Sequence, residues 1–111
     1  MQTIMLILHT DGIQIRQAVN LSIEPTLLEI SKLLRPLLHN PPLDHVAVLY
    51  LGQHRDMFVD ERGHLRGLPR NKAATAIYRA AALARPNPPW AEAMPCIVGT
   101  AVIFPERRVW F

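Results

Sequence analysis

One cysteine, Cys96, stands in 111 residues, so no disulfide can close within the chain, and a reducing compartment suits it. Long apolar runs are missing too. The longest, residues 4–8 and 46–51, have the length of strands and fall far short of the roughly 18 residues that a membrane span requires. No basic segment precedes the first apolar stretch and no small-residue cleavage site follows it, which argues against a secretory leader. These absences predict a cytoplasmic protein without a membrane partner. Cys-x-x-Cys and His-Glu-x-x-His spacings are also lacking, so no metal is expected, and no paired carboxylates announce acid–base catalysis. Most informative of all, no acidic side chain occurs between Arg62 and Arg85, a stretch that holds six basic ones.

What is present is a foldable composition. Half of the residues are hydrophobic and 19% are charged, which excludes a solvating polymer and suits one domain over residues 1–111. Charge is unevenly spread: residues 1–61 carry four basic and seven acidic side chains, residues 62–85 six and none, and residues 86–111 two of each. The chain is mildly acidic over its first half and basic in one block.

Residues 3–8 are apolar on both alternating sets, the mark of a strand covered on both faces. Asp11-Gly12 is a hairpin signal, and residues 13–16 return with one apolar and one polar face. Residues 46–51 and 57–59 read as a third and fourth strand. A long apolar strand is expected over 96–104, with Gly99 marking a bulge or a close backbone approach. Residues 105–111 allow a short extended last strand. A first helix follows Pro25, placed in its first turn, with Thr26 and Glu29 as a capping box. Leu27, Ile30, Leu33, Leu34, Leu37 and Leu38 share one arc, and Pro36 ends or kinks the helix. A second helix runs from Asn71, a good N-cap, to about Ala84. The order β-β-α-β-β-α-β predicts an α+β domain, a mixed or antiparallel sheet of about five strands with two helices on one face.

The basic block meets the second helix at its start. There the first N–H groups lack intrahelical partners and the macrodipole is positive, so Arg70 and Lys72, with Arg66 upstream, are placed unfavourably by roughly 0.3–1 kcal/mol each. An anion would turn that penalty into a site, with Asn71 at the cap and Arg79 two turns along the Lys72 face. Alternatively Asp60 and Glu61 neutralise the cations and the block is a solvated surface. A P-loop is excluded, because its glycine spacing and Lys-Ser/Thr pair are absent.

Other candidates carry less. His54 and Asp56 read as surface-turn residues, two apart but without further metal ligands. Cys96 at the start of an apolar strand reads as a small buried hydrophobe. Trp90 and the end Val109-Trp110-Phe111 read either as core cover or as a dimerisation surface.

The turn Asp60-Glu61-Arg62-Gly63-His64-Leu65-Arg66-Gly67-Leu68-Pro69-Arg70-Asn71-Lys72-Ala73, followed later by Ile97-Val98-Gly99-Thr100-Ala101-Val102-Ile103, resembles domain-of-unknown-function family 3846. These are small domains of bacteriophages, plasmids and their bacterial hosts. The resemblance extends weakly back through Leu27-Leu28-Glu29-Ile30, and is poorer over residues 85–95 and after Phe104. It implies a mobile-element context inside a bacterium, and brings no activity, cofactor or catalytic residue.

Residues and resemblance together predict a non-enzymatic, homodimeric binding domain without a cofactor. Arg66, Arg70, Asn71, Lys72 and Arg79 would hold a phosphate-bearing small molecule or an acidic protein surface. Nucleic-acid binding through the same block is the alternative, and a small enzyme is the third reading.

Overall fold

The computed structural model describes residues 1–39, 41–84 and 95–110. Two hairpins and one short strand build an antiparallel sheet in the order β2-β1-β5-β4-β3. The first hairpin joins β1 (Gln2–Leu8) to β2 (Gln14–Asn20), and the second joins β3 (Leu43–Tyr50) to β4 (Gln53–Asp60). β5 (Ala101–Ile103) lies between β1 and β4 and pairs with both. Turn chemistry sets each hairpin. Gly12 has φ +91° and the Asp11 carboxylate accepts the Ile13 N–H. Leu51 and Gly52, with φ of 50° and 80°, form the two-residue connection that best matches strand twist.

The class and strand number agree with the sequence reading, but the helices lie on opposite faces of the sheet rather than on one. α1 (Leu27–Leu34) packs Ile30 and Leu34, with Leu38 beyond its end, on Met5, Ile7, Phe58 and Val102. α2 (Lys72–Leu83) packs Ala74, Ile77 and Ala81 on Leu6, Leu8, Met57 and Ile103. Adjacent strand residues point to opposite faces, so β1, β4 and β5 feed two cores at once. Alanines on the inner side of α2 bring that helix close to the sheet.

Local rules explain the helix ends. Thr26 caps α1 by accepting the Glu29 N–H, while the Glu29 carboxylate reaches the Ser22 N–H at 2.7 Å instead of closing a reciprocal capping box. Pro25 stands before the cap, outside the first turn. Pro36 follows the C-cap Arg35, and a last turn through the Leu38 N–H to Leu34 O bond keeps Leu38 in the core. Leu27 departs from the expected arc and is exposed.

The strand expected over 96–104 contracts to Ala101–Ile103. Gly99 turns the chain with φ +75°, and residues 97–99 pair instead with residues 69–71. Asn71 N–H donates to Ile97 O and Gly99 N–H to Pro69 O, both at 2.8 Å. No strand forms over 105–110 either. There the backbone N–H groups of Val109 and Trp110 donate to the Asp56 carboxylate, so a side chain takes the donors a ladder would use.

Candidate anion-binding surface

The loop after β4 begins with Asp60, whose Oδ1 accepts the Arg62 N–H at 2.8 Å and whose Oδ2 lies 3.2 Å from Arg66 Nη1. Arg66 is therefore an ion-pair partner of Asp60. For this residue the neutralised-surface alternative describes the geometry.

Asn71 is a larger correction. It is fully buried, and its amide oxygen and both amide hydrogens are bonded within the fold. Oδ1 accepts the Ala74 N–H at 3.1 Å and caps α2. Nδ2 donates to Leu8 O at 2.8 Å and Gly99 O at 2.9 Å. One amide joins the helix start, the end of β1 and the glycine turn before β5. It has no donor left for an external ligand. One turn on, Thr75 Oγ1 accepts the Ile97 N–H at 2.9 Å and donates to Ile97 O at 3.3 Å. The turn before α2 and the segment before β5 are thus bonded to each other.

Arg70 and Lys72 flank the buried Asn71 and are both exposed, since alternate residues at a helix entry leave on different sides. Lys72, Thr75, Ala76 and Arg79 follow at the three- and four-residue spacing that lines one helix face. With Arg70 they surround a concavity of about 230 Å³, and among the described residues none that lines it is acidic. Among the described residues neither Arg70 nor Lys72 forms an ion pair.

A larger hollow, about 410 Å³, opens on the same side of the sheet beside β3. Asp44, Asp60, Glu61, His64, Tyr78 and Cys96 contribute to its wall. His64 Nε2 bonds the backbone carbonyl of Cys96 at 2.9 Å, which makes that nitrogen a donor and not a base for the thiol. Among the described residues no group of three His, Cys, Asp or Glu side chains is arranged to hold a metal. No helix among them is long and apolar enough to cross a membrane.

The interface candidates fall in different places. Val109 is fully buried in the α1-side core, so it presents no surface to a partner. Trp110 is 37% exposed and stacks on His45, with ring centroids 4.6 Å apart and planes 10° from parallel. Trp90 and Phe111 lie outside the described residues.

Asp56 is the polar centre that the sequence reading missed. It sits inside β4, not in a turn, and is fully buried. It accepts from His45 Nε2 at 2.7 Å, Val109 N–H at 2.8 Å, Trp110 N–H at 3.1 Å and Arg108 Nε at 3.2 Å. Burial pushes its carboxyl up, but the Val109, His45, Arg108 and Trp110 bonds outweigh burial and hold it below its ordinary value. The signal was available: a carboxylate flanked by Met57-Phe58-Val59 is half of a buried pair, and Arg107-Arg108 offered the other half. Arg107 turned elsewhere, donating to Thr3 Oγ1, Ser22 O and Ile23 O.

No family model, curated protein or solved structure matches the chain.

Proposed function

We propose that the chain is a non-enzymatic binding domain that takes a phosphate-bearing ligand, or an acidic protein surface, at the start of α2. One observation carries this reading: Arg70, Lys72 and Arg79 line a single concavity whose described lining residues include no carboxylate. The site is smaller than expected, because Arg66 is bound to Asp60 and Asn71 is bound to the fold. At about 230 Å³ the concavity is below the size of a pocket that encloses a drug-sized molecule, and it suits one phosphate group with the remainder outside. The resemblance to family 3846 adds a bacterial or mobile-element setting and a cytoplasmic location.

Sequence-nonspecific nucleic-acid binding is the competing reading. It would need a longer cationic track or an aromatic platform beside the cations. Tyr78 instead packs with the α2-side core.

Thermal-shift screening of phosphate, nucleotides, cyclic nucleotides and oligonucleotides tests the proposal, with Arg70→Ala/Lys72→Ala as control. A ligand at about 100 times its Kd adds roughly 2.7 kcal/mol to wild type, and the double variant loses that gain. If no anion stabilises wild type, the small-ligand form fails. An oligonucleotide response that falls steeply with salt transfers the reading to nucleic acid.

A further inference from the structure

We infer that the exposed edge of β2 pairs with the same edge of a second copy of this chain, in one defined register, to continue the sheet across a twofold axis.

Backbone phase is the first step. β2 pairs with β1 in a regular register from Gln2↔Asn20 to Leu8↔Gln14, with no bulge. Just outside its ends, His9 N–H donates to Ile13 O and Leu21 N–H to Met1 O, both at 2.9 Å. Direct bonds within opposed pairs identify the hydrogen-bonded positions of an antiparallel ladder, and these alternate along a strand. Residues 13, 15, 17, 19 and 21 therefore turn their backbone groups towards β1. Gln14, Arg16, Ala18 and Asn20 turn theirs outward, where no other strand of the described residues lies.

That outward row has few of the devices that keep sheet edges apart. β2 contains no proline, no lysine and no acidic side chain. Its one charge, Arg16, is drawn inward across β1 by Glu106, Nη2 to Oε1 3.3 Å. Six of its seven residues are exposed, as is Ile13 just ahead of it. The opposite edge, β3, differs by carrying Asp44.

Side chains then select the register. An antiparallel twofold pairing that uses the outward groups must centre on one residue of β2. Centred on Arg16, it sets Arg16 directly against Arg16, which like charge opposes. Centred on Ala18, it sets Gln17 against Val19. Centred on Gln17, it pairs Ile15 with Val19 of the second copy on the α1 side, and Gln17 with Gln17 at the axis. On the other side Arg16 meets Ala18 and Gln14 meets Asn20, both at hydrogen-bonded positions. Of these three central registers, which pair the most of β2, only the last matches apolar to apolar and amide to amide while separating the arginines. Ile15 and Val19 then meet at the non-hydrogen-bonded positions, where side chains approach most closely. Ile15, 43% exposed in the single chain, gains cover. The interface is one strand wide, so association is expected to be weak and concentration-dependent.

Sedimentation equilibrium from roughly 1 μM to 1 mM full-length chain tests this. Wild type is expected to pass from monomer to dimer across that range. Gln17→Lys and Gln17→Glu, each placing like charges at the axis, are expected to stay monomeric alone and to dimerise when mixed in equal amounts. Ala18→Pro removes an outward N–H without touching the β1 ladder and is expected to be monomeric. Unfolding curves of each variant confirm an intact fold. A wild type that stays monomeric overturns the inference, and so does a dimer that survives both Gln17→Lys and Ala18→Pro. A lysine and glutamate mixture that stays monomeric overturns the register.

Discussion

Asn71→Asp separates two accounts of the turn before α2. If Asn71 only caps the helix, aspartate should serve as well or better, since its charge favours the helix start by roughly 0.3–1 kcal/mol. If Asn71 instead joins three segments, aspartate places a carboxylate oxygen where Nδ2 stands 2.8 Å from Leu8 O and 2.9 Å from Gly99 O. Both donors vanish, two buried carbonyls lose a partner, and the charge sits among acceptors. Asn71→Ala supplies the scale. It loses the cap, about 1 kcal/mol, and unpairs the two carbonyls at roughly 1–3 kcal/mol each. About 4 kcal/mol in all is expected, a fall in Tm of roughly 15–25 °C for a domain of this size. Asn71→Asp should cost at least as much near neutral pH and should recover partly in acid, where the protonated carboxyl regains one donor. Urea unfolding with an unchanged m-value reads both. An Asn71→Asp protein as stable as wild type would refute the three-way junction.

Asp56 has a lowered pKa in the fold, so its contribution is intact well above the unfolded value of 3.8 and is lost as pH falls through 3.8 towards the folded value. Urea midpoints between pH 7 and pH 3 should show that loss, and Asp56→Asn, less stable at neutral pH, should flatten it. Arg70→Ala and Lys72→Ala should each stabilise the ligand-free chain by roughly 0.3–1 kcal/mol, because each removes a cation from a positive helix end. Arg66→Ala should go the other way by up to about 1 kcal/mol, since Asp60 loses its partner; the same chemical unfolding series checks all three. Gly99→Ala should cost about 1–2 kcal/mol for its φ of +75°. Its new methyl would also press Leu68 Cδ1 at 2.8 Å, and a Tm within 2 °C or so of wild type would contradict that reading.

The sequence showed its elements more readily than their arrangement. Hydrophobic period and capping chemistry placed both helices, because Thr26 and Asn71 act within three residues of themselves. The opposed helices were foreshadowed by residues 3–8, apolar on both alternating sets, which already called for cover on two faces. Gly99 announced an interruption, yet its consequence, a strand cut to three residues, depended on Pro69 and Asn71 some thirty residues away. The candidate site was legible as a charge block, and only tertiary geometry divided it. Nothing local distinguishes Arg66, bound to Asp60, from Arg70, which faces water. Asp56 was hidden for the same reason, its donors arriving from residues 45, 108, 109 and 110.

The place of β5 also bears on how the chain folds. It is the last strand in sequence and the middle one in space. Each hairpin can close from neighbouring residues, but the two halves of the sheet join only when residues 101–103 slide between them. That step needs contacts across nearly the whole chain, which makes it slow relative to hairpin closure. Until it happens, the inner edges of β1 and β4 stand open beside the outer ones. The interval before β5 docks is therefore when this protein is most exposed to mispairing, and substitutions that delay that docking should lower refolding yield more than they lower equilibrium stability.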